Sequence, residues 1–235
     1  LVDYIDYIQQ KPTGSIFSRK RTILDTALIT MSMRNLQSMM ENKGYLNAVV
    51  DTAISVHNRR ATVAYVISPH HQYTVRDVGY QIDDERIDSL FEANGLYDLG
   101  LKGGQPFSVD KLKDEQQRYT AFLTSNGYRN FNKQMITFDV DTSRWEHKAD
   151  VTMHIGRYRA SSRDSMHLHP IYHINNISYE GADFLRKKTL VTNTLFQEGE
   201  LFNEKKVQGT YNRFARLQAV RTTNITFTEV GDSLV

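Results

Sequence analysis

The sequence predicts an α+β fold of tandem two-layer modules in β-α-α-β-β order, each a three-stranded mixed sheet covered by two helices. Three internal repetitions carry that expectation. The alternating run Tyr73-Thr74-Val75-Arg76-Asp77-Val78-Gly79-Tyr80 returns as Tyr172-His173-Ile174-Asn175-Asn176-Ile177-Ser178-Tyr179. The segment Gly104-Gln105-Pro106-Phe107-Ser108 returns as Gly199-Glu200-Leu201-Phe202-Asn203. The turn Gly127-Tyr128-Arg129-Asn130-Phe131 has an earlier counterpart in Gly44-Tyr45-Leu46-Asn47-Ala48.

The first module is expected over residues 1–70, with an atypical first half. Tyr4, Ile5, Tyr7 and Ile8 fit either a strand or a short helix, and Ser18-Arg19-Lys20-Arg21 forms an abrupt basic joint. Met33, Leu36, Met39 and Met40 recur at helical spacing, and Gly44-Tyr45 ends that helix. Val49 to Val56 and Thr62 to Ile67 then read as a strand hairpin. The second module is expected over 71–157. Its opening strand begins at Tyr73, where Tyr, Val and Ile alternate as on a half-buried pleat, and a first helix falls near Asp84 to Ala93. Ser108 offers a capping oxygen to a helix whose stripe is Leu112, Tyr119, Phe122 and Leu123. That helix stops at Asn126-Gly127, where glycine tolerates positive φ, so Gly127→Val is expected to destabilise the module. Met135 to Val140 and Ala149 to Ile155 follow as the second hairpin. Residues 158–170, polar and long, read as a linker. The third module, 171–235, has a helix capped by Asn203 from Glu204 to about Leu217 and a strand from Val220 to Phe227, with its last strand incomplete.

Composition narrows the function classes. The 235 residues are 40% hydrophobic and 24% charged, which excludes disorder and leaves enough apolar surface for a core. A net charge of +2 is too balanced to demand a polyanionic partner. With no cysteine there is no disulfide, thiolate nucleophile or cysteine zinc site. No apolar run is long enough for a membrane helix, and Leu1 to Gln10 lacks the layout of a signal peptide. The phosphate-binding and hydrolase motifs G-x-x-x-x-G-K-[ST], H-E-x-x-H and G-x-S-x-G do not occur, so no enzyme and no cofactor are expected.

With Lys102-Gly103-Gly104-Gln105-Pro106-Phe107-Ser108 before its second helix and Asn126-Gly127-Tyr128-Arg129-Asn130-Phe131 after it, the unit resembles the POTRA domain, the polypeptide-transport-associated module. The likeness rests on Gly104, Phe107, Leu112, Gly127, Tyr128 and Phe131, on Gly44, Tyr45 and Asn47, and on Gly199, Phe202 and Val207. The third copy departs from the pattern, with Leu217-Gln218-Ala219-Val220 in place of the Gly-Tyr turn. Tyr7-Ile8-Gln9-Gln10-Lys11-Pro12, Ile23-Leu24-Asp25 and Asn42-Lys43-Gly44-Tyr45-Leu46-Asn47-Ala48 resemble the TamL branch of the BamA/TamA outer-membrane assembly family in Bacteroidota. That resemblance implies a periplasmic arm, preceding a membrane β-barrel that is absent from this sequence, which helps insert or export other proteins. It implies unfolded outer-membrane clients or assembly partners, a place at the outer membrane, and a lipidated N-terminal cysteine that this Cys-free chain does not supply.

A physical mechanism follows from the module itself. If the second hairpin strand pairs with the opening strand, the first hairpin strand is a sheet edge, and an edge offers main-chain hydrogen bonds to an added strand of almost any sequence. The expected polypeptide-binding edges are Val49, Thr52 and Ile54; Lys133, Met135, Thr137 and Asp139; and Thr222, Asn224 and Thr226. Lys133 and Asp139 read equally as charges that blunt nonspecific pairing.

Competing signals are weaker. His70-His71 and the set His167, His169 and His173 could ligate a metal, against a simpler reading of solvated linker histidines. Asp83-Asp84-Glu85 and Asp139-x-Asp141 read as cap and turn carboxylates. Lys205, Lys206, Arg213, Arg216 and Arg221 would suit RNA, an acidic partner or an anionic membrane surface, but a solvated helix face is the first expectation, and no nucleic acid is expected as a partner. A docking module of another envelope secretion or division protein is the remaining alternative.

Overall fold

In a computed structural model of the chain the described residues are 24–58, 60–159, 164–231 and 233–235. The opening segment with Tyr4, Tyr7 and the basic joint at 18–21 lies outside them. The described residues fall into two compact units, one of 24–38 with 49–68, the other of 39–48 with 69–235. The fold is α+β, with mixed three-stranded sheets and helices on one face.

In the first unit, helix α1 (Thr26–Asn42) starts where Asp25 Oδ1 accepts the Ala27 N–H at 2.8 Å, and its last turn passes into the second unit. Strands β1 (Val49–His57) and β2 (Arg60–Ser68) form an antiparallel hairpin from Val49↔Ser68 to His57↔Arg60. Its turn begins at Asn58, in the left-handed region that asparagine tolerates.

The second unit contains one complete module and a shorter one. Strand β3 (Thr74–Ile82) leads to α2 (Glu85–Ala93), α3 (Val109–Thr124), β4 (Ile136–Asp141) and β5 (Lys148–Ile155). The strand order is β3-β5-β4, with β5 parallel to β3 and antiparallel to β4. Alternation along β5 sends Ala149, Val151, Met153 and Ile155 inward. Ile87 and Phe91, one turn apart on α2, and Tyr119 and Leu123, one turn apart on α3, close over that face. Both helices are capped as their sequences require. Asp84 accepts from Arg86 and Ile87 N–H, and Ser108 accepts from Lys111 N–H.

The second module of this unit runs through β6 (His173–Ile174), α4 (Lys187–Asn193), α5 (Glu204–Ala215), β7 (Glu229–Val230) and β8 (Ser233–Leu234). Its strand order, β6-β8-β7, again with a parallel and then an antiparallel pair, repeats the first. Asn203 caps α5 through the Lys206 N–H at 3.1 Å, and Val207, Thr210 and Phe214 face the core with Phe202, Ile174 and Leu234.

Four segments differ from expectation. Lys133 and Met135 belong to a single 3-10 turn at Lys133–Met135, because Asn132 Oδ1 takes the Gln134 N–H at 3.0 Å and bends the chain before the ladder starts. The run 172–179 forms ladder only at β6, since its parallel partner β8 is two residues long. Thr222, Asn224 and Thr226 are exposed but form no ladder. The Tyr211 hydroxyl instead accepts Ile225 N–H at 2.8 Å and meets Ile225 O at 3.3 Å, and pairing begins only where Thr228 and Val235 exchange backbone bonds. Residues 164–170 are not a solvated tether, for Tyr158 and His167 exchange backbone bonds and His169 is 2% exposed.

Candidate functional site

Each sheet of the second unit has two outer strands, and the sequence treats them differently. The start of the opening strand is closed on its outer side, at Tyr73 and Val75, by the loop that starts the second helix. Gly104 N–H donates to Val75 O, Val75 N–H to Gln105 O and Phe107 N–H to Tyr73 O. The second module repeats the pattern, Gly199 N–H to Ile174 O, Ile174 N–H to Glu200 O and Phe202 N–H to Tyr172 O. Gly104 and Gly199 adopt φ of +83° and +84°, and the buried Phe107 and Phe202 anchor the loop. The recurring Gly-x-x-Phe is therefore an edge guard built from backbone.

The other edge is β4, with no strand beyond it among the described residues. Asp83 N–H donates to Ile155 O at 2.9 Å, so Ile155 turns its peptide groups toward β3. Its cross-strand neighbour Ile136 therefore turns its own outward, as do alternate residues Phe138 and Val140. Gln116 Nε2 donates to Ile136 O at 2.6 Å, leaving the peptide groups of Phe138 and Val140 as the face a new strand would meet. Val140 is 37% exposed. Thr137 and Asp139 carry their side chains on the exposed sheet face, where Asp139 Oδ2 lies 3.0 Å from His154 Nε2.

Of the residues expected at edges, Thr137 and Asp139 are in β4, while Lys133 and Met135 precede it, Met135 packing on the core. Val49, Thr52 and Ile54 are in β1, with Val49 and Ile54 exposed. In the last sheet the edge strand is β7, after the expected 222–226. Phe138, Val140 and Gln116 were missed because sequence alternation reports side-chain direction, whereas the open valences depend on the neighbouring ladder.

The glycine-tyrosine turns are contact points. Gly127, φ +94°, donates its N–H to Phe202 O and accepts from Tyr172 N–H, both at 2.9 Å. Gly44, φ +88°, accepts from Tyr73 N–H at 2.8 Å, and a Cβ there would overlap the Phe107 carbonyl. Each turn thus grips the opening strand and edge guard that follow it. Tyr128 and Phe131 are buried in the core beside the second turn. Beyond Gly127, Asn130 Nδ2 donates to Tyr172 Oη at 2.8 Å, Tyr172 donates to Glu229 Oε2 at 2.9 Å, and Arg129 pairs with Glu229. Burial and the Glu229 bond push Tyr172 up to about 12.

A second clasp involves Asp84, fully buried, whose Oδ2 accepts the His169 N–H at 2.7 Å and lies 3.0 Å from His169 Nδ1. Arg86 donates to His169 O, and the Phe131 and Tyr158 rings flank the imidazole. Burial lowers the His169 pKa below its ordinary value. Burial opposes charge on Asp84 too, but the bonds from His169, Arg86 and Ile87 outweigh it and hold the carboxyl below its ordinary range. His167 is exposed, its Nδ1 3.0 Å from Ser165 O. Asp141 accepts from Ser143 as a turn carboxylate. No group of three His, Cys, Asp or Glu converges among the described residues.

No family model matches the chain, and no curated protein matches it. Among solved structures it is similar to POTRA domains 3–5 of BamA from Haemophilus influenzae, at 16% identity and a TM-score of 0.50, over 91% of this chain and 80% of that one. BamA from Haemophilus ducreyi lacking POTRA domains 1–3 matches at 13% identity, covering 60% of this chain and 24% of that one, with a TM-score of 0.39. POTRA domains 1–2 of Omp85 from Anabaena match at 10% identity over 68% and 92%, with a TM-score of 0.36. The chain has the POTRA fold.

Proposed function

We propose that the chain is the periplasmic arm of an outer-membrane β-barrel assembly or translocation protein of the BamA/TamA type, in its TamL branch. It receives unfolded or partner polypeptides by strand addition at β4, and a membrane β-barrel follows it in the full protein. In this reading the modules are 1–70, 71–157 and 171–235, the arm works at the periplasmic face of the outer membrane of a Gram-negative bacterium, and it is not an enzyme. Val49, Thr52 and Ile54 of β1 are proposed as a further edge. The observation that carries the reading is the asymmetry of the sheet, with the start of the opening strand closed at Tyr73 and Val75 by a backbone guard and Phe138 and Val140 turning peptide groups outward from the uncovered strand. The POTRA fold supports it.

The test is photocrosslinking from position 139 against an unfolded outer-membrane protein and against folded envelope proteins. Broad crosslinks to unfolded clients, competed by an extended peptide and lost in Val140→Pro, are expected. That proline removes an outward N–H and leaves the β5 ladder in place. One discrete folded partner would make the chain a docking arm, and crosslinks unaffected by Val140→Pro would refute strand addition at β4.

A further inference from the structure

We propose that the α4 and α5 face of the last module docks on an anionic lipid surface. Phe184, just before α4, is 63% exposed, and Val191 on α4 is 54% exposed. Leu190 is the helix's buried residue, while Lys187 and Lys188 are exposed beside Val191. Arg213 of α5 donates from Nη1 to Thr192 O at 2.9 Å, which brings the end of α5 against the end of α4, and exposed Arg216 follows one turn later. Among the described residues Lys206 is held in an ion pair, with Glu200, whereas Lys187, Lys188, Arg213 and Arg216 are not. Lys205 belongs to another side of α5, lining a cleft with Ala121 and Thr124.

The chemistry of this face selects its partner. A solvated helix surface accounts for the cations but leaves a phenyl ring in water, and a nucleic-acid backbone would neutralise charge without burying that ring. A bilayer rich in anionic headgroups offers charge at its surface and hydrocarbon just beneath, which suits Lys187 and Lys188 lying in the chain between the exposed Phe184 and Val191, with Arg213 held against Thr192 and the exposed acids Glu180 and Asp183 outnumbered by these cations and Arg216. The inference rests on the proposed arm for the presence of a membrane nearby, yet the two fail separately, because vesicle binding needs no client and client crosslinking at β4 needs no vesicle.

The experiment is flotation of the 235-residue chain with vesicles of phosphatidylglycerol and phosphatidylethanolamine, and with phosphatidylcholine alone. Binding to the anionic vesicles, weakened as salt shortens the screening length, is expected. Lys187→Glu with Lys188→Glu should lower affinity by at least about tenfold, and Phe184→Ser should lower it without changing the salt dependence. Phe184→Trp in a Trp145→Phe background should shift its emission to the blue on vesicle addition, with circular dichroism reporting that each variant is folded. Equal binding to neutral and anionic vesicles, no binding, or wild-type affinity in the folded double lysine variant would each overturn the proposal.

Discussion

Gly127→Ala separates conformational strain from contact at the turn that links the modules. A residue bearing Cβ in the left-handed region costs about 1–2 kcal/mol. Gly104→Ala carries that cost alone, since its φ is +83° and a Cβ there meets nothing within 4 Å. At Gly127 the added Cβ falls 2.8 Å from Ile171 Cγ2 and 3.0 Å from Leu201 Cδ2. The backbone is held at this point by its bonds to Phe202 and Tyr172, so the two side chains must yield, at an overpacking cost of about 1–3 kcal/mol. Gly127→Ala should therefore cost about 2–5 kcal/mol and Gly104→Ala about 1–2. Urea unfolding followed by circular dichroism and by the single tryptophan, Trp145, measures both. Equal losses in the two variants would show that the turn bears conformational strain only and would refute the contact argument.

Three further outcomes are expected. Asp84→Ala removes the α2 cap and leaves the buried His169 N–H without its acceptor, a loss of about 2–4 kcal/mol, seen as faster hydrogen exchange in both α2 and residues 164–170. Acidification weakens the same clasp. His169 is held below 6.5, so as pH falls through that value the unfolded chain gains a proton that the folded chain does not, and stability drops. Asp84, held below 3.8, adds its own loss only below that value, where the unfolded carboxyl is protonated first. His169→Gln should flatten the stability profile between neutrality and mild acid, and an unchanged slope would contradict the assignment. Tyr172→Phe deletes the bonds to Asn130 and Glu229 and should cost about 1–2 kcal/mol, read by thermal unfolding.

Much of this architecture is local and so was legible in the chain. Ser108 and Asn203 cap the helices they precede, Gly44 and Gly127 occupy positive φ, and the alternation at 149–155 is that of a strand with one buried face. Caps, turns and periodicity act within a few residues, which is why they can be read without knowing the fold. The same alternation at 222–226 misled, because burial of every second side chain does not require a ladder, and here a tyrosine hydroxyl satisfies Ile225. In sequence His169 looks like a linker residue, because nothing near it announces a partner 85 residues away in Asp84. The open edge at the first hairpin strand was legible, but the closure at Tyr73 and Val75, the valences of Phe138 and Val140 and the grip of each glycine turn on the following strand were decided by tertiary structure. Those features are set by which backbone groups meet across long sequence separations, and main-chain hydrogen bonding is common to nearly every residue type, so the sequence by itself determined caps, turns and strand alternation while only the packing decided which main-chain groups are left at a free edge.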